Sequence, residues 1–526
     1  MSYTFRRANP MGLLRVEQEV IRAFREALGD AVTFGIYNHA LKQYFRVDPK
    51  EIDAMLDLRA WRVPLLDRAL TSPSRLRRHA RRLRLMGELR RSVRLYPGSD
   101  AASVWRRDEI IAQALSRVSL EEYSSLRSWI QPLATRFANR FGPWVQRADH
   151  VNHLLHHGEL DALSPSRHSP SNAIDPAQVS CYISVGGFWS DDRYEYAWRG
   201  RRDHGWTVHY LIYDLIPVLW RHMTEPHTKE AFPLALHWML WGVDQVWTIS
   251  DTTRQDLLAH VADHGYPPLA DRWVTPVLLG ADSAAQPADE ETTGTILNRL
   301  DLEQDGFVLM VGTLEPRKNH DFAYRLWREM HRRFPGEVLP LVFVGQPGWN
   351  MNHFFDMLAE DTGLPHDAIR IFKVVDDTEL GVLYDNCRFT LYPSHYEGWG
   401  LPVVESLNHN RPCLTSDAPS IVEAAQGAAD TLPLMDGEAW IARAMTLMHD
   451  DTAHAEAVDR ARAFTGYRWA EFRHNLIADF EAFRRREATP AGEDSGCTRP
   501  EPAPSGKIWA KTFRPGTAPQ TESSMS

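Results

Sequence analysis

Cysteine is scarce. Of 526 residues only Cys181, Cys387, Cys413 and Cys497 are cysteines, and no two make a C-x-x-C pair. A disulfide scaffold and a zinc finger are therefore not indicated, and a reducing cytosol fits. Apolar runs of about 18 residues are missing, which argues against a membrane-spanning helix. The start, Met-Ser-Tyr-Thr-Phe-Arg-Arg, has no apolar core of the kind a secretion signal needs. Excess positive charge is missing too: the net charge is −10, which argues against wholesale nucleic-acid binding. The chain contains no Asp-x-Asp pair. What is present is ordinary globular composition, 43% hydrophobic and 24% charged, with length for two or three domains. The 18 tryptophans suit sugar-binding faces, and they suit cores better.

The second half has a regular rhythm. The runs Phe307–Gly312, Leu341–Gly345, Ile369–Val375, Phe389–Tyr392 and Pro412–Thr415 read as strands. Helical segments such as Asp321–Phe334 and Glu379–Asn386 lie between them. Apolar strands alternating with helices imply a parallel sheet covered on both faces, with ligands beyond the carboxyl ends of the strands. The middle of the chain repeats the rhythm at Val179–Val185, Thr207–Tyr213, Gln245–Ile249 and Trp273–Leu279, and Ala31–Tyr37 is expected to join the same sheet. Two Rossmann-like, doubly wound domains follow, over residues 1–283 and 284–486. A helical insertion spans about 50–165, and residues 487–526 form a disordered tail rich in Pro, Gly, Ser and Thr.

Two stretches carry chemistry. In Ser394-His-Tyr-Glu-Gly-Trp-Gly-Leu-Pro-Val-Val-Glu-Ser-Leu407 a strand leads through a glycine loop into a helix. Free backbone N–H groups and the helix dipole make such a loop an anion site. Carboxylates repel phosphate, so Glu397 and Glu405 are read as binding hydroxyls beside it. Phosphate next to hydroxyls describes a nucleotide sugar. The second stretch, Val311-Gly-Thr-Leu-Glu-Pro-Arg-Lys-Asn-His-Asp321, places Arg317 and Lys318 where a pyrophosphate would lie. Cations there neutralise charge on a departing diphosphate.

With these motifs the chain resembles the group 1 glycosyltransferases (carbohydrate-active family 4), retaining enzymes of the GT-B fold. The likeness covers roughly residues 180–475, and more loosely the turn around Gly12. It implies an acceptor-side N-terminal domain facing a donor-binding C-terminal domain across a cleft. Lys318 would contact donor phosphates, with Arg317 nearby. Glu397 would face the donor sugar, and Glu405 the ribose hydroxyls. The backbone of Gly398, Trp399, Gly400 and Leu401 would hold phosphate or sugar. Gly12, Gly312 and Thr313 would border the donor, while Gly345, Val374 and Val375 would approach the base. Many members have an arginine at the position of Thr313, and a histidine where this chain has Tyr213. Asp214, next to it, is either a polar contact in the cleft or the cap of a turn.

The resemblance implies same-face attack, with the leaving phosphate accepting the acceptor proton. No metal or other cofactor is expected beyond the nucleotide-sugar donor, for which GDP-mannose comes first. The acceptor class is a saccharide or lipid-linked oligosaccharide of surface polysaccharide assembly. Alternatives are another GT-B activity, such as a phosphorylase or nucleotide-sugar hydrolase, and a non-catalytic nucleotide- or sugar-binding partner. Arg75–Arg94 carries nine arginines and one acid. It reads as a basic amphipathic helix on anionic lipid, at the inner face of the plasma membrane, or as a solvated face. His150, His153 and His157 share metal-ligand spacing, although a histidine-rich surface explains them better. Asp191, Asp192 and Glu195 are candidates for acceptor hydroxyls.

Overall fold

The computed structural model describes residues 13–38, 42–56, 172–189, 193–266, 269, 273–282, 288–373 and 375–488. Gly12, Val374, Asp191, Asp192, the three histidines from His150 to His157, Arg75–Arg94, nearly all of the insertion and all but the first two residues of the tail lie outside them.

Twelve strands are described. The first two, β1 (Gly35–Asn38) and β2 (Gln43–Arg46), form a hairpin with Ile36 opposite Phe45. This corrects the expectation that Ala31–Tyr37 joins the parallel sheet. A parallel partner needs a crossover of a dozen or more residues, whereas the β-prone run Gln43–Arg46 follows at once. The local antiparallel pairing wins.

The parallel sheet of the first half holds β3 (Cys181–Ser184), β4 (Thr207–Ile212), β5 (Gln245–Thr248) and β6 (Val274–Pro276), in that order. Every pairing is parallel. The second half builds six parallel strands: β7 (Val308–Val311), β8 (Leu341–Val344), β9 (Ile369–Phe372), β10 (Phe389–Tyr392), β11 (Cys413–Ser416) and β12 (Asp430–Leu432). Their spatial order is β12-β11-β10-β7-β8-β9. The chain starts in the middle, winds one way to β9, then returns to β10 and winds the other way. This is the Rossmann order, and its reversal opens a crevice beyond the ends of β7 and β10. The four described strands of the first half run in sequence order without a reversal, and two parallel α/β halves together make the GT-B architecture.

Burial explains the winding. All residues of β7, β8, β10 and β11 are buried, so both faces need covers. Met310 and Phe343 point to one face and pack with Trp327 and Trp440. Leu309 and Val342 point to the other and pack with Tyr384 and Val382. The last helix, Trp469–Ala488, leaves this sheet. Its Phe472, Leu476 and Phe480 pack with Val16, Val20 and Phe24 of the first helix, Leu13–Leu28, and with Trp247 of β5. No helix among the described residues is long and apolar enough to cross a membrane.

Candidate active site

The loop after β7 begins at Gly312, whose φ of +147° suits glycine. A Cβ on Gly345, after β8, would lie 2.0 Å from Gly312 O, so these two strand ends touch through backbone alone. A short 3₁₀ turn, Pro316–Lys318, then folds the chain back, and Asn319 closes it with φ +63°. The turn delivers Arg317 and Lys318 to the end of β10.

There they meet Glu397. Lys318 Nζ lies 2.8 Å from Glu397 Oε1, and Tyr392 OH donates to the same oxygen at 2.9 Å. Arg317 pairs with Glu397 Oε2 and with Glu315, and its Nη1 donates to Tyr396 O at 3.0 Å. Lys318 also donates to Tyr392 OH. Glu315, Lys318 and Glu397 are all buried. Burial works against ionisation of Glu397, but Arg317 and Lys318 outweigh it and hold the carboxyl at about 2. Burial likewise opposes the charge on Arg317, yet Glu397 and Glu315 keep it above its ordinary range. For Lys318 burial wins, and the ammonium is pulled down against the attraction of Glu397. A carboxylate offers about four lone-pair sites, and three protein donors take three of those on Glu397. One remains for a hydroxyl. Lys318, with its three donors, retains one beyond Glu397 and Tyr392 among the described residues.

The glycine loop is held by its carbonyls. Ser416 Oγ donates to Ser394 O at 2.6 Å, and Ser420 Oγ to Glu397 O at 2.5 Å. Ser250 Oγ, from the first half, donates to Gly398 O at 2.7 Å. In a trans peptide the next N–H points opposite to the carbonyl. The Gly398 and Trp399 N–H groups are therefore turned away from these serines, and no acceptor among the described residues takes them. Gly400, with φ +119°, caps the helix Leu401–Asn408; Pro402 has no N–H and the Val403 and Val404 N–H groups bond Gly400 O, so the Leu401 N–H is the one donor of the first turn that no acceptor among the described residues takes. The result is a cradle of backbone donors beside a buried knot of charge, suited to an anion with hydroxyls next to it.

The other sequence candidates fall into distinct places. Asp214 caps its turn. Its Oδ1 accepts from Ile216 N at 3.0 Å, and the carboxyl also feels Arg317 and Glu397. Burial pushes it up to about 6, with Arg317 opposing. Gly398 abuts it: a Cβ there would lie 2.3 Å from Tyr213 O and 3.2 Å from Asp214 Cβ. Glu405 sits apart from the charged knot. Its Oε2 accepts from Tyr384 OH at 2.9 Å, and Tyr384 stacks on His409 at 5.1 Å. Burial raises the Glu405 carboxyl, with the Tyr384 hydrogen bond and Arg15 opposing. The Trp399 indole packs in the core against Tyr467, leaving only its backbone to the loop. Leu401 packs against that same core, and Thr313 Cγ2 sits where a Cβ on Gly348 would come within 3.0 Å of it. Val375 is buried beside Tyr384. The Tyr213 ring, in the position of the family histidine, is buried in the core with Trp247 and Trp399.

Tyr392, Glu315, Tyr384, Arg15 and the three serines were not anticipated. Tyr392 and Tyr384 look like ordinary apolar positions in a strand and a helix. The signal that could have found Ser250 is a serine standing directly before the acidic first turn at Asp251, a pattern of helix N-caps.

Residues 295–464 match the family model of the glycosyl transferases group 1. The matched stretch contains both loops and all four charges of the knot. Over these residues the chain is similar to the group 1 glycosyltransferases. Among curated proteins, the chain is 29% identical over 251 residues to O-antigen chain mannosyltransferase B of Escherichia coli, covering 46% of this chain and 63% of that one. It is 26% identical over 220 residues to the serotype-specific mannosyltransferase WbdA of Escherichia coli, covering 41% of this chain and 27% of that one. The chain spans less than two thirds of the length of these relatives. A crystal structure of Anabaena Alr3699/HepE with UDP and glucose superposes with a TM-score of 0.47 at 12% identity, over 58% of this chain and 78% of that one.

Proposed function

We propose that the protein is a retaining hexosyltransferase. It moves a sugar from a nucleotide-sugar donor, GDP-mannose first, to a saccharide or lipid-linked acceptor of polysaccharide assembly. The observation that carries this reading is the cradle of Gly398 and Trp399 N–H groups next to the Lys318–Glu397 pair. The two mannosyltransferase relatives support mannose as the transferred sugar, and the first of them the polysaccharide class of the acceptor.

The chemistry follows from the charges. The bond between the sugar carbon and the diphosphate oxygen breaks, and negative charge grows on the departing oxygen. Lys318, Arg317 and the loop N–H groups supply the positive field that stabilises it. The acceptor hydroxyl forms the new bond on the same face, and its proton passes to the leaving phosphate. Glu397, kept ionised, uses its remaining lone pair to hold a sugar hydroxyl. Glu405, with Tyr384 fixing its carboxyl, holds the ribose hydroxyls. Positioning supplies the rest of the rate.

A thermal-shift series with UDP, GDP, TDP and ADP tests the donor site, since a ligand that binds only the folded state raises the melting temperature. GDP is expected to give the largest shift. Transfer from GDP-mannose to mannose-terminated oligosaccharides then tests the reaction. A protein that no diphosphate stabilises, or a Lys318→Ala variant with full activity, would overturn the proposal.

A further inference from the structure

The first half of the chain reaches into the donor loop through one helix end. Ser250 is the N-cap of the helix Asp251–Asp263, and its Oγ accepts from Thr253 N at 3.0 Å. The same Oγ lies 2.7 Å from Gly398 O. Thr253 Oγ1 lies 3.4 Å from Gly398 O and 3.3 Å from Tyr213 O. Both side chains are fully buried. A carbonyl only accepts, and a hydroxyl carries one proton. Ser250 Oγ also lies 2.9 Å from Thr253 Oγ1, so the two hydroxyls form one linked pair: in either arrangement of their protons one of them donates to Gly398 O, while a lone pair of Ser250 takes the Thr253 N–H.

The second half answers at the same helix end. Glu423, on the helix Pro419–Ala425, accepts from Asp251 N at 2.7 Å, Thr252 N at 3.0 Å and Thr252 Oγ1 at 2.9 Å. A carboxylate from one half thus satisfies the orphan donors and meets the positive end of a helix in the other. The contact runs in both directions: a hydroxyl from the first half fixes the donor loop, and a carboxylate from the second fixes the helix that carries the hydroxyl. The other carbonyls of the loop, those of Ser394, Tyr396 and Glu397, are held from within the second half. Gly398 O is held from across the cleft.

We infer that Ser250 and Thr253 are positioning residues: by holding Gly398 O they set the direction of the Trp399 N–H, so the anion cradle is complete only while the two halves are closed on each other. This rests on the glycosyltransferase reading for its catalytic consequence. Its structural core, the coupling of closure to one peptide plane, does not. Glu423 acts one step further back, by fixing the helix end.

The test uses Ser250→Gly in the full chain. Glycine is an accepted N-cap, so the helix start survives while the hydroxyl is lost. Hydrogen–deuterium exchange in the protein without ligand is expected to speed up about tenfold or more at the Val403 and Val404 amides, which close the loop by bonding Gly400 O. With GDP-mannose as donor, kcat/KM is expected to fall about 10- to 100-fold, in the range found when one preorganised donor is weakened. Ser250→Thr, which restores the hydroxyl, is expected to recover both. Glu423→Gln is expected to move both in the same direction by less. Parental exchange at Val403 and Val404 in Ser250→Gly would overturn the inference, as would parental kcat/KM in that variant. A parent protein that GDP does not stabilise would instead sink the glycosyltransferase reading, and the exchange measurement would still decide the coupling.

Discussion

Lys318 Nζ stands 2.8 Å from Glu397 Oε1, and both groups are buried at the mouth of the crevice between β7 and β10. Such a pair is stabilised by mutual attraction against a large desolvation cost, so removing one partner is felt more than the net worth of the pair. Lys318→Met is expected to lower kcat by about 10²–10³-fold, the range for loss of one group that stabilises developing negative charge. It is also expected to cost up to about 3–5 kcal/mol of stability, because Glu397 stays behind with Arg317 and Tyr392 alone. Steady-state kinetics and urea unfolding measure the two effects separately. Parental kcat in a folded variant would remove Lys318 from the site.

Asp214 predicts a pH dependence of opposite sign to that of Glu397. Its carboxyl is pushed from 3.8 up to about 6 by burial, with Arg317 opposing. The folded state then binds more protons than the unfolded state between those values, so stability falls as pH rises through that window. Asp214→Asn cancels the loss. Relative to the parent, its unfolding free energy is expected to gain about 1–3 kcal/mol between about pH 4 and pH 7. For Glu397, held at about 2, the stabilisation is present above 4.5 and is lost as pH falls towards 2. Urea unfolding across this pH range checks both signs. A constant difference between Asp214→Asn and parent would refute the first.

Gly398 has no room for a side chain. A Cβ would sit 2.3 Å from Tyr213 O, which is backbone of the opposite half. Gly398→Ala is therefore expected to push the halves apart and to lower transfer by at least about 100-fold, since a misplacement of about 1 Å costs that much. Each half keeps its own sheet. Small-angle scattering is expected to show a larger radius of gyration, and an unchanged radius with unchanged rate would contradict the packing.

Asp479 ties the last helix to the first sheet. It accepts from Trp247 Nε1 at 2.9 Å, from Thr275 Oγ1 at 3.2 Å and from Gln245 Nε2. Asp479→Ala strands buried donors, at a cost of about 1–3 kcal/mol for each one left unsatisfied. A fall of about 2–4 kcal/mol in unfolding free energy is expected by urea titration. A loss below about 0.5 kcal/mol would mean that solvent reaches those donors.

Five strands of the second sheet were legible because each is short, largely apolar and bounded by glycine or a polar turn; the edge strand β12, Asp430–Leu432, is polar and half-exposed and gave no such signal. The ends of β7, β8 and β10 were found within a residue, and these ends define the site. Ala31–Tyr37 was misplaced because period and propensity do not say which partner a strand takes. The hairpin partner lies close by in the chain, and proximity decided. At the site, Arg317, Lys318 and Glu397 were readable as charges in loops. Their mutual pairing was not, since it depends on a 3₁₀ turn that folds the loop back onto β10. Ser250 and Glu423 were invisible for a similar reason. Their partners are backbone atoms some 150 positions away or more, and a backbone atom leaves no mark in a sequence.

The return of the final helix changes what counts as a half. Ala281 N donates to Tyr467 O at 3.0 Å, and Asp282 Oδ1 accepts from Trp469 N at 2.6 Å, so the outgoing and incoming chain run side by side. The unit built on β3–β6 is thus assembled from two separate stretches of polypeptide. Cutting the gene at its midpoint would yield a first fragment whose Trp247 and His209 rings lack the Phe480 they touch. A fragment intended to fold by itself has to carry residues 469–488 grafted onto its end.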